Sequence, residues 1–120
     1  WQNRIEGFLH WGFNFWNSQD SYHHLDPFLN TDADYFMPSG DAFLVYPGEG
    51  GDCWESLRLN AMREAMEDLR MLSLCESVRG RDFTEALLRE TAGEPVTFRT
   101  LPREDFYGIL REKIAAAIEE

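Results

Sequence analysis

The run Gly7-Phe-Leu-His-Trp-Gly-Phe-Asn-Phe-Trp-Asn17 constrains this chain most. Residues 7–16 mix Phe, Leu and Trp with little polar alternation, the pattern of a strand covered on both faces in a parallel sheet. Such a strand cannot stand alone in water. A second apolar run, Asp41-Ala-Phe-Leu-Val-Tyr-Pro-Gly48, is closed by Pro47-Gly48 and the flexible Glu49-Gly50-Gly51, and a helix is expected from about Trp54. The order strand, long loop, strand, helix suits the end of a barrel better than a complete domain. The 120 residues are in any case too few for a closed eight-stranded barrel, which takes about 250.

Between the two runs, residues 17–40 pass through Pro27 and Pro38 to Gly40 with no helical period. A polar loop of that length usually carries function. In the helix, Leu59, Met62, Met66 and Leu69 recur at three- and four-residue spacing, with Ala65 and Leu72 widening the stripe. That face should pack on a core as far as Gly80, a suitable C′ residue. A short helix is expected over Phe83–Glu90, broken at Gly93, and Val96–Arg99 should be a brief extended link. For the last helix, Thr100 is the expected cap and Pro102 suits the first turn. Phe106, Leu110, Ile114, Ala117 and Ile118 should line its buried face. The whole reads as one domain, residues 6–48 carrying two strands and their loop, and residues 54–120 forming a helical scaffold.

Charge and cysteine content exclude several classes. Eleven basic against 22 acidic residues give a net charge of −11, which repels phosphate backbones and anionic lipid. Nucleic acid and membrane surfaces are therefore not expected partners, and no run approaches the roughly 20 apolar residues of a spanning helix. Nothing at the start reads as a signal peptide, although an upstream segment carrying one is compatible with a chain that begins at Trp1. Cys53 and Cys75 have no CxxC spacing and are expected as free thiols. Residues 1–54 hold 13 of the 17 aromatic residues and all three histidines but a single basic residue, Arg4. Any chemistry belongs in that first half.

Three blocks in order carry a resemblance: Gly7–Asn17, Gly40-Asp-Ala-Phe-Leu-Val-Tyr-Pro-Gly48 and Ser56-Leu-Arg-Leu-Asn-Ala-Met-Arg-Glu-Ala-Met-Glu-Asp-Leu69. Together they resemble the C-terminal part of glycoside hydrolase family 123 and its relatives, the domain of unknown function 4091. Asp26-Pro27-Phe28 resembles the Asp-Pro-Trp often found between the first two blocks. Ala42 departs from the usual Gly, and Asn60, Ala65, Leu69, Arg70 and Met71 depart from the usual helix pattern. The resemblance implies an α/β fold: the C-terminal portion of a (β/α)8 barrel, contributing the last two strands, the closing helix and the terminal helices.

Active sites of such barrels sit at the C-terminal ends of the strands. The resemblance therefore implies substrate contacts from Trp11, Asn14, Trp16 and Tyr46, with carbohydrate as the partner. Flat aromatic faces pack on sugar C–H groups, and an amide supplies directional hydrogen bonds. On a regular strand Asn14 and Trp16 share one side and Trp11 takes the other, so the three meet only if the strand bends.

In this family, cleavage of 2-acetamido sugars is thought to be substrate-assisted, with an Asp orienting the acetamido group and an adjacent Glu protonating the leaving group. That pair lies upstream of the matched region, and this sequence contains no Asp-Glu dipeptide; Glu67-Asp68 and Glu104-Asp105 run in the reverse order. The chain itself is expected to have no catalytic residue.

No cofactor is called for. His10, His23 and His24 with Asp20, Asp26, Asp32 and Asp34 match no metal-ligand spacing, and an ordinary solvated loop is the expected reading. Asp41 is expected to form a turn. The alternative to a hydrolase segment is an α/β binding or assembly module. In either case exposed strand edges call for a partner, an upstream barrel segment or a second copy of the chain.

Overall fold

Ser56 marks the place where strand gives way to helix. Its Oγ accepts the Leu59 N–H at 3.2 Å and donates to the Leu44 carbonyl at 2.6 Å, so one buried hydroxyl caps a helix and ties it to a strand. The computed structural model describes residues 1–97 and 99–119. It contains strands β1 (Val45–Pro47) and β2 (Cys53–Glu55), then helices α1 (Leu57–Arg79), α2 (Arg81–Ala92) and α3 (Phe106–Glu119). Glu49–Gly51 form a single 3₁₀ turn between the strands. The class is mixed α/β, without a complete barrel. The chain divides into two compact units, residues 7–63 and residues 1–6 with 64–120.

In the unit of residues 7–63, β1 and β2 pair antiparallel with Val45 opposite Glu55, Tyr46 opposite Trp54 and Pro47 opposite Cys53. Trp54 is thus a strand residue and α1 starts three residues later than its apolar period suggests. The signal was Gly48-Glu-Gly-Gly51-Asp52, a glycine-rich hairpin turn closed by the Gly48 N–H on the Asp52 carbonyl at 2.8 Å.

The expected parallel strand over residues 7–16 does not form. Phe8 and Leu9 are 69% and 88% exposed, and a strand exists only where its backbone finds a partner. Residues 13–15 find one. The Leu44 N–H reaches the Phe13 carbonyl at 2.8 Å and the Phe15 N–H reaches the Ala42 carbonyl at 3.2 Å, an antiparallel bridge of Asn14 with Phe43. Ala42, Phe43, Leu44 and Val45 are all buried, so the second apolar run is the core of this unit. The loop that follows Trp16 is closed twice. Asn17 bridges His24, and the Gly40 N–H reaches back to the Thr31 carbonyl at 2.6 Å.

In the unit of residues 1–6 and 64–120, Cys75, Leu88, Phe106, Leu110 and Ile114 form the core, with Met71, Leu72, Phe83 and Ile118 packed against it. Burying each large apolar side chain contributes roughly 1.5–3 kcal/mol. The terminal-helix face falls where the periodicity places it, with Phe106, Leu110, Ile114 and Ala117 buried. The α1 stripe does not. Cys75 is the buried residue of α1, and Met66 is 40% exposed; of the expected stripe Leu72 packs against the core, joined there by Met71 and Cys75 and not by Met62 or Met66.

Gly80 (φ 85°) separates α1 from α2, and Gly93 (φ 74°, ψ −3°) ends α2 in the left-handed conformation with its N–H on the Arg89 carbonyl at 2.9 Å. The second helix is therefore longer at both ends than expected. Thr100 does not cap α3: its hydroxyl accepts the Thr97 N–H at 2.8 Å and donates to the Pro95 carbonyl at 3.2 Å, and α3 begins at Phe106. Of the expected link at residues 96–99, Phe98 lies outside the described residues.

Arg111 grips Asp68 with Nε at 2.5 Å and Nη2 at 3.0 Å, fixing α3 to the second half of α1; this hydrogen bonding raises the Arg111 pKa above its usual range. Cys53 is exposed, Cys75 is buried, and both are free. Among the described residues, no helix is long and apolar enough to cross a membrane.

Candidate functional site

The chain bends at Trp11 and Phe13, on either side of Gly12, and those bends create the site. Gly12 is buried against the backbone of Asp41 and Ala42; a β-carbon there would lie 2.7 Å from the Ala42 carbonyl carbon and 3.0 Å from the Asp41 carbonyl oxygen. Only a residue without a side chain lets the segment approach so closely. Beyond the bends, the bridge to Phe43 holds residues 13–15 extended, and the Leu25 N–H on the Trp16 carbonyl at 3.0 Å continues the tether.

The result is an open hollow of about 480 Å³ lined by Trp11, Phe13, Asn14, Phe15, Trp16, Asn17 and His24. Trp11, Asn14 and Trp16 therefore meet, because the strand that would have separated them is broken. The volume is that of a small-molecule site. Phe13, Phe15 and Asn17 belong to the same aromatic run, but nothing in their spacing marks them as wall residues. His24 arrives through the Asn17–His24 bridge, which no local pattern in residues 17–40 announces.

Each wall residue is held differently. The Trp16 indole N–H donates to the Val45 carbonyl at 3.0 Å, so its ring is pinned to β1. The Trp11 indole donates to Asp41 Oδ2 at 3.3 Å and its ring tilts against Phe15 with centroids 5.3 Å apart. Asp41 also closes a turn through its N–H on the Pro38 carbonyl at 3.0 Å, and so serves both purposes. The Asn14 side chain is exposed, with its carbonyl and amino group available to a ligand.

Tyr46 is not part of this wall. Its ring stacks on Phe28 at 4.9 Å and 23°, and Phe43 meets it edge-on at 5.1 Å. Arg58 lies over the Phe43 ring at 5.0 Å and donates from Nε to the Phe43 carbonyl at 3.2 Å. Alternation along β1 explains the separation: Tyr46 sits directly opposite Trp54 across the hairpin, in a second aromatic cluster.

The histidines and aspartates of the loop do not gather. His23 Nε2 contacts Asp34 Oδ2 at 3.3 Å, and among the described residues no group of three or more His, Cys, Asp or Glu is placed to hold a metal ion. Two of the loop carboxylates serve the backbone. Asp26 accepts the Phe28 N–H at 2.9 Å, and Asp32 accepts the Tyr35 N–H at 3.0 Å.

A search of curated proteins found no match to the chain. The family described as glycoside hydrolase 123, catalytic domain, matches residues 1–75. That span takes in the bends on either side of Gly12, the hollow, the β-hairpin and nearly all of α1. This chain belongs to the glycoside hydrolase 123 catalytic-domain family.

Proposed function

We propose that this chain is the substrate-wall segment of a (β/α)8 glycoside hydrolase acting on 2-acetamido sugars, with the catalytic Asp-Glu pair supplied by other parts of the full protein. The observation that carries this reading is the hollow of about 480 Å³, walled by aromatic and amide side chains, in a chain of a carbohydrate-acting family. A pyranose offers C–H groups on its faces and hydroxyls on its rim. Trp16 and Phe15 suit the former, and Asn14, Asn17 and His24 suit the latter. In this reading the sugar's own acetamido oxygen attacks the anomeric carbon as the glycosidic bond breaks and the Glu of the pair protonates the departing oxygen, while the chain's residues hold the ring in place.

Indole fluorescence provides the test. The chain is titrated with N-acetylgalactosamine and N-acetylglucosamine, and hydrolysis of their aryl glycosides is followed in parallel. Saturable binding without turnover is the expected result; turnover by the chain itself would contradict the assignment of the acid pair elsewhere, and absence of binding would remove the wall.

Exposed apolar residues favour a second reading, a non-catalytic module that pairs with another chain. Phe8 and Leu9 are 69% and 88% exposed on a segment whose sequence is that of a buried strand. A concentration-dependent molar mass by light scattering, combined with no sugar binding, would favour that reading over the first.

A further inference from the structure

We infer that Asp41 is a positioning residue of the wall: its carboxylate holds the Trp11 indole at the hollow, and the loop over residues 31–41 is folded to hold that carboxylate in place. The inference rests on the sugar-wall reading of the hollow and deepens it. It names what sets the one wall ring that no backbone pairing fixes.

The wall residues are not equally anchored. Residues 13–15 are tied by the bridge of Asn14 with Phe43, and Asn17 and His24 by their own bridge. Trp16 is held by its carbonyl on the Leu25 N–H and by its indole on the Val45 carbonyl, each at 3.0 Å. Trp11 has no such support. Among the described residues, no backbone N–H or carbonyl of residues 5–12 takes part in a hydrogen bond, and Trp11 is 48% exposed. Two side-chain contacts place its ring: Asp41 Oδ2 at 3.3 Å from Nε1, and Phe15 at 5.3 Å between centroids and 60°. A ring contact leaves the direction of the N–H edge free, and a hydrogen bond from Nε1 fixes it.

The Asp41 carboxylate is not needed for the turn. The turn is made by the Asp41 backbone N–H on the Pro38 carbonyl at 3.0 Å, which puts Asp41 at its last position, whereas an aspartate side chain supports a turn from the first. Among the described residues, the hydrogen bond of the carboxylate is the one to Trp11.

The loop gives this carboxylate a firm mount. The Gly40 N–H reaches the Thr31 carbonyl at 2.6 Å, the Met37 N–H reaches the Asp32 carbonyl at 2.9 Å, and the Thr31 and Ser39 hydroxyls bond each other. Within that closure Ala33, Asp34 and Tyr35 are left-handed, with φ of 54°, 60° and 64°, and Ala33 is 3% exposed. Residues with side chains keep that conformation where their surroundings over-determine it. Asp41 then meets the aromatic run twice, its carboxylate at Trp11 and its carbonyl oxygen 3.0 Å from where a β-carbon on Gly12 would stand. Residues 31–40 contribute no side chain to the hollow, and holding Asp41 gives them a task in the site.

The test is a double-mutant cycle on sugar affinity. N-acetylgalactosamine and N-acetylglucosamine are titrated calorimetrically into the wild-type chain, Asp41→Ala, Asp41→Asn, Trp11→Phe, Trp16→Ala and the double variant of Asp41→Ala with Trp11→Phe, beside melting temperatures. Asp41→Ala should lose about three- to tenfold in affinity, the size of one side chain left to be ordered by the ligand. Asp41→Asn keeps an acceptor oxygen and should recover most of that loss. Phenylalanine at position 11 has no N–H to hold, so in that background Asp41→Ala should bring no further loss. The Trp11 indole N–H resonance, assigned by its absence in Trp11→Phe, should move in Asp41→Ala and stay close to its wild-type position in Asp41→Asn.

Undiminished affinity in Asp41→Ala, with Trp16→Ala still weakening the sugar, would overturn the role of Asp41 and leave the hollow standing. An equal loss in the Trp11→Phe background, or losses that follow the melting temperatures, would mean that Asp41 acts through the loop fold alone, which also overturns the inference. No sugar binding by the wild-type chain would remove the sugar wall and the positioning role together.

Discussion

Gly12 and Ala42 touch backbone to backbone: a β-carbon on Gly12 would fall 2.7 Å from the Ala42 carbonyl carbon. That contact brings residues 13–15 alongside residues 42–44, where the Leu44 and Phe15 N–H groups find their carbonyls. It also turns Trp11 toward the side occupied by Asn14 and Trp16.

Gly12→Ala should therefore open the hollow by forcing the two segments apart. A buried clash with main chain cannot be relieved by rotating a side chain, so the expected destabilisation is about 1–3 kcal/mol. Near-UV circular dichroism and chemical denaturation measure both effects. A variant as stable as wild type, with an unchanged near-UV spectrum, would refute the close approach.

Ser56 links two elements through one hydroxyl, so its removal should exceed the cost of an ordinary cap. Ser56→Ala leaves the Leu59 N–H without its acceptor and takes one of the donors from the Leu44 carbonyl, which keeps the Ser56 N–H at 3.3 Å. A loss of about 1–2 kcal/mol is expected. Ser56→Thr, which retains the hydroxyl, should recover most of it in the same urea titration.

Lys113 and Glu90 meet at 2.8 Å between α3 and α2. The Lys113 hydrogen bond, and then its charge, hold the Glu90 carboxyl below its ordinary value. A carboxylate with a lowered folded pKa contributes stability at pH values above its unfolded pKa, about 4.3, and loses it as pH falls through the folded value. Glu90→Gln should accordingly lower the melting temperature slightly at pH 7 and not at all at the acid end of a melting series. Since the pair is exposed, 1 M salt should also erase the difference. A gap that persists in acid would point to packing at position 90 instead of charge.

The sequence made the terminal helix legible because all its information is local. Phe106, Leu110, Ile114 and Ala117 repeat at three- and four-residue spacing, and all four are buried. The glycoside hydrolase 123 likeness was likewise legible, carried by three blocks within residues 7–69. What the periodicity missed depends on pairing at a distance.

Trp54 stands where a helix is expected to begin, yet its partner Tyr46 across a glycine-rich turn makes it a strand residue. Met66 keeps the helical spacing but is 40% exposed, because Met71, Leu72 and Cys75 meet the core further along. The hollow was half legible. Trp11, Asn14 and Trp16 were marked by residue type, but their meeting required the bends on either side of Gly12. His24 entered through a bridge to Asn17. Tyr46, at the end of the right strand, turned out to face Phe28 and Trp54.

Trp16 holds the central claim, because its two ends have separable tasks: the indole N–H bonds the Val45 carbonyl at 3.0 Å while the ring lines the hollow. Affinity for N-acetylgalactosamine and N-acetylglucosamine, measured beside melting temperature in Trp16→Phe and Trp16→Ala, tests it directly. Trp16→Phe should lose about 1 kcal/mol of stability with the hydrogen bond yet keep sugar affinity within about threefold, since a flat ring remains. Trp16→Ala should lose about tenfold or more in affinity. If Trp16→Ala binds sugar as wild type does, or if affinity in the two variants merely follows their melting temperatures, the hollow is not the wall of a sugar site.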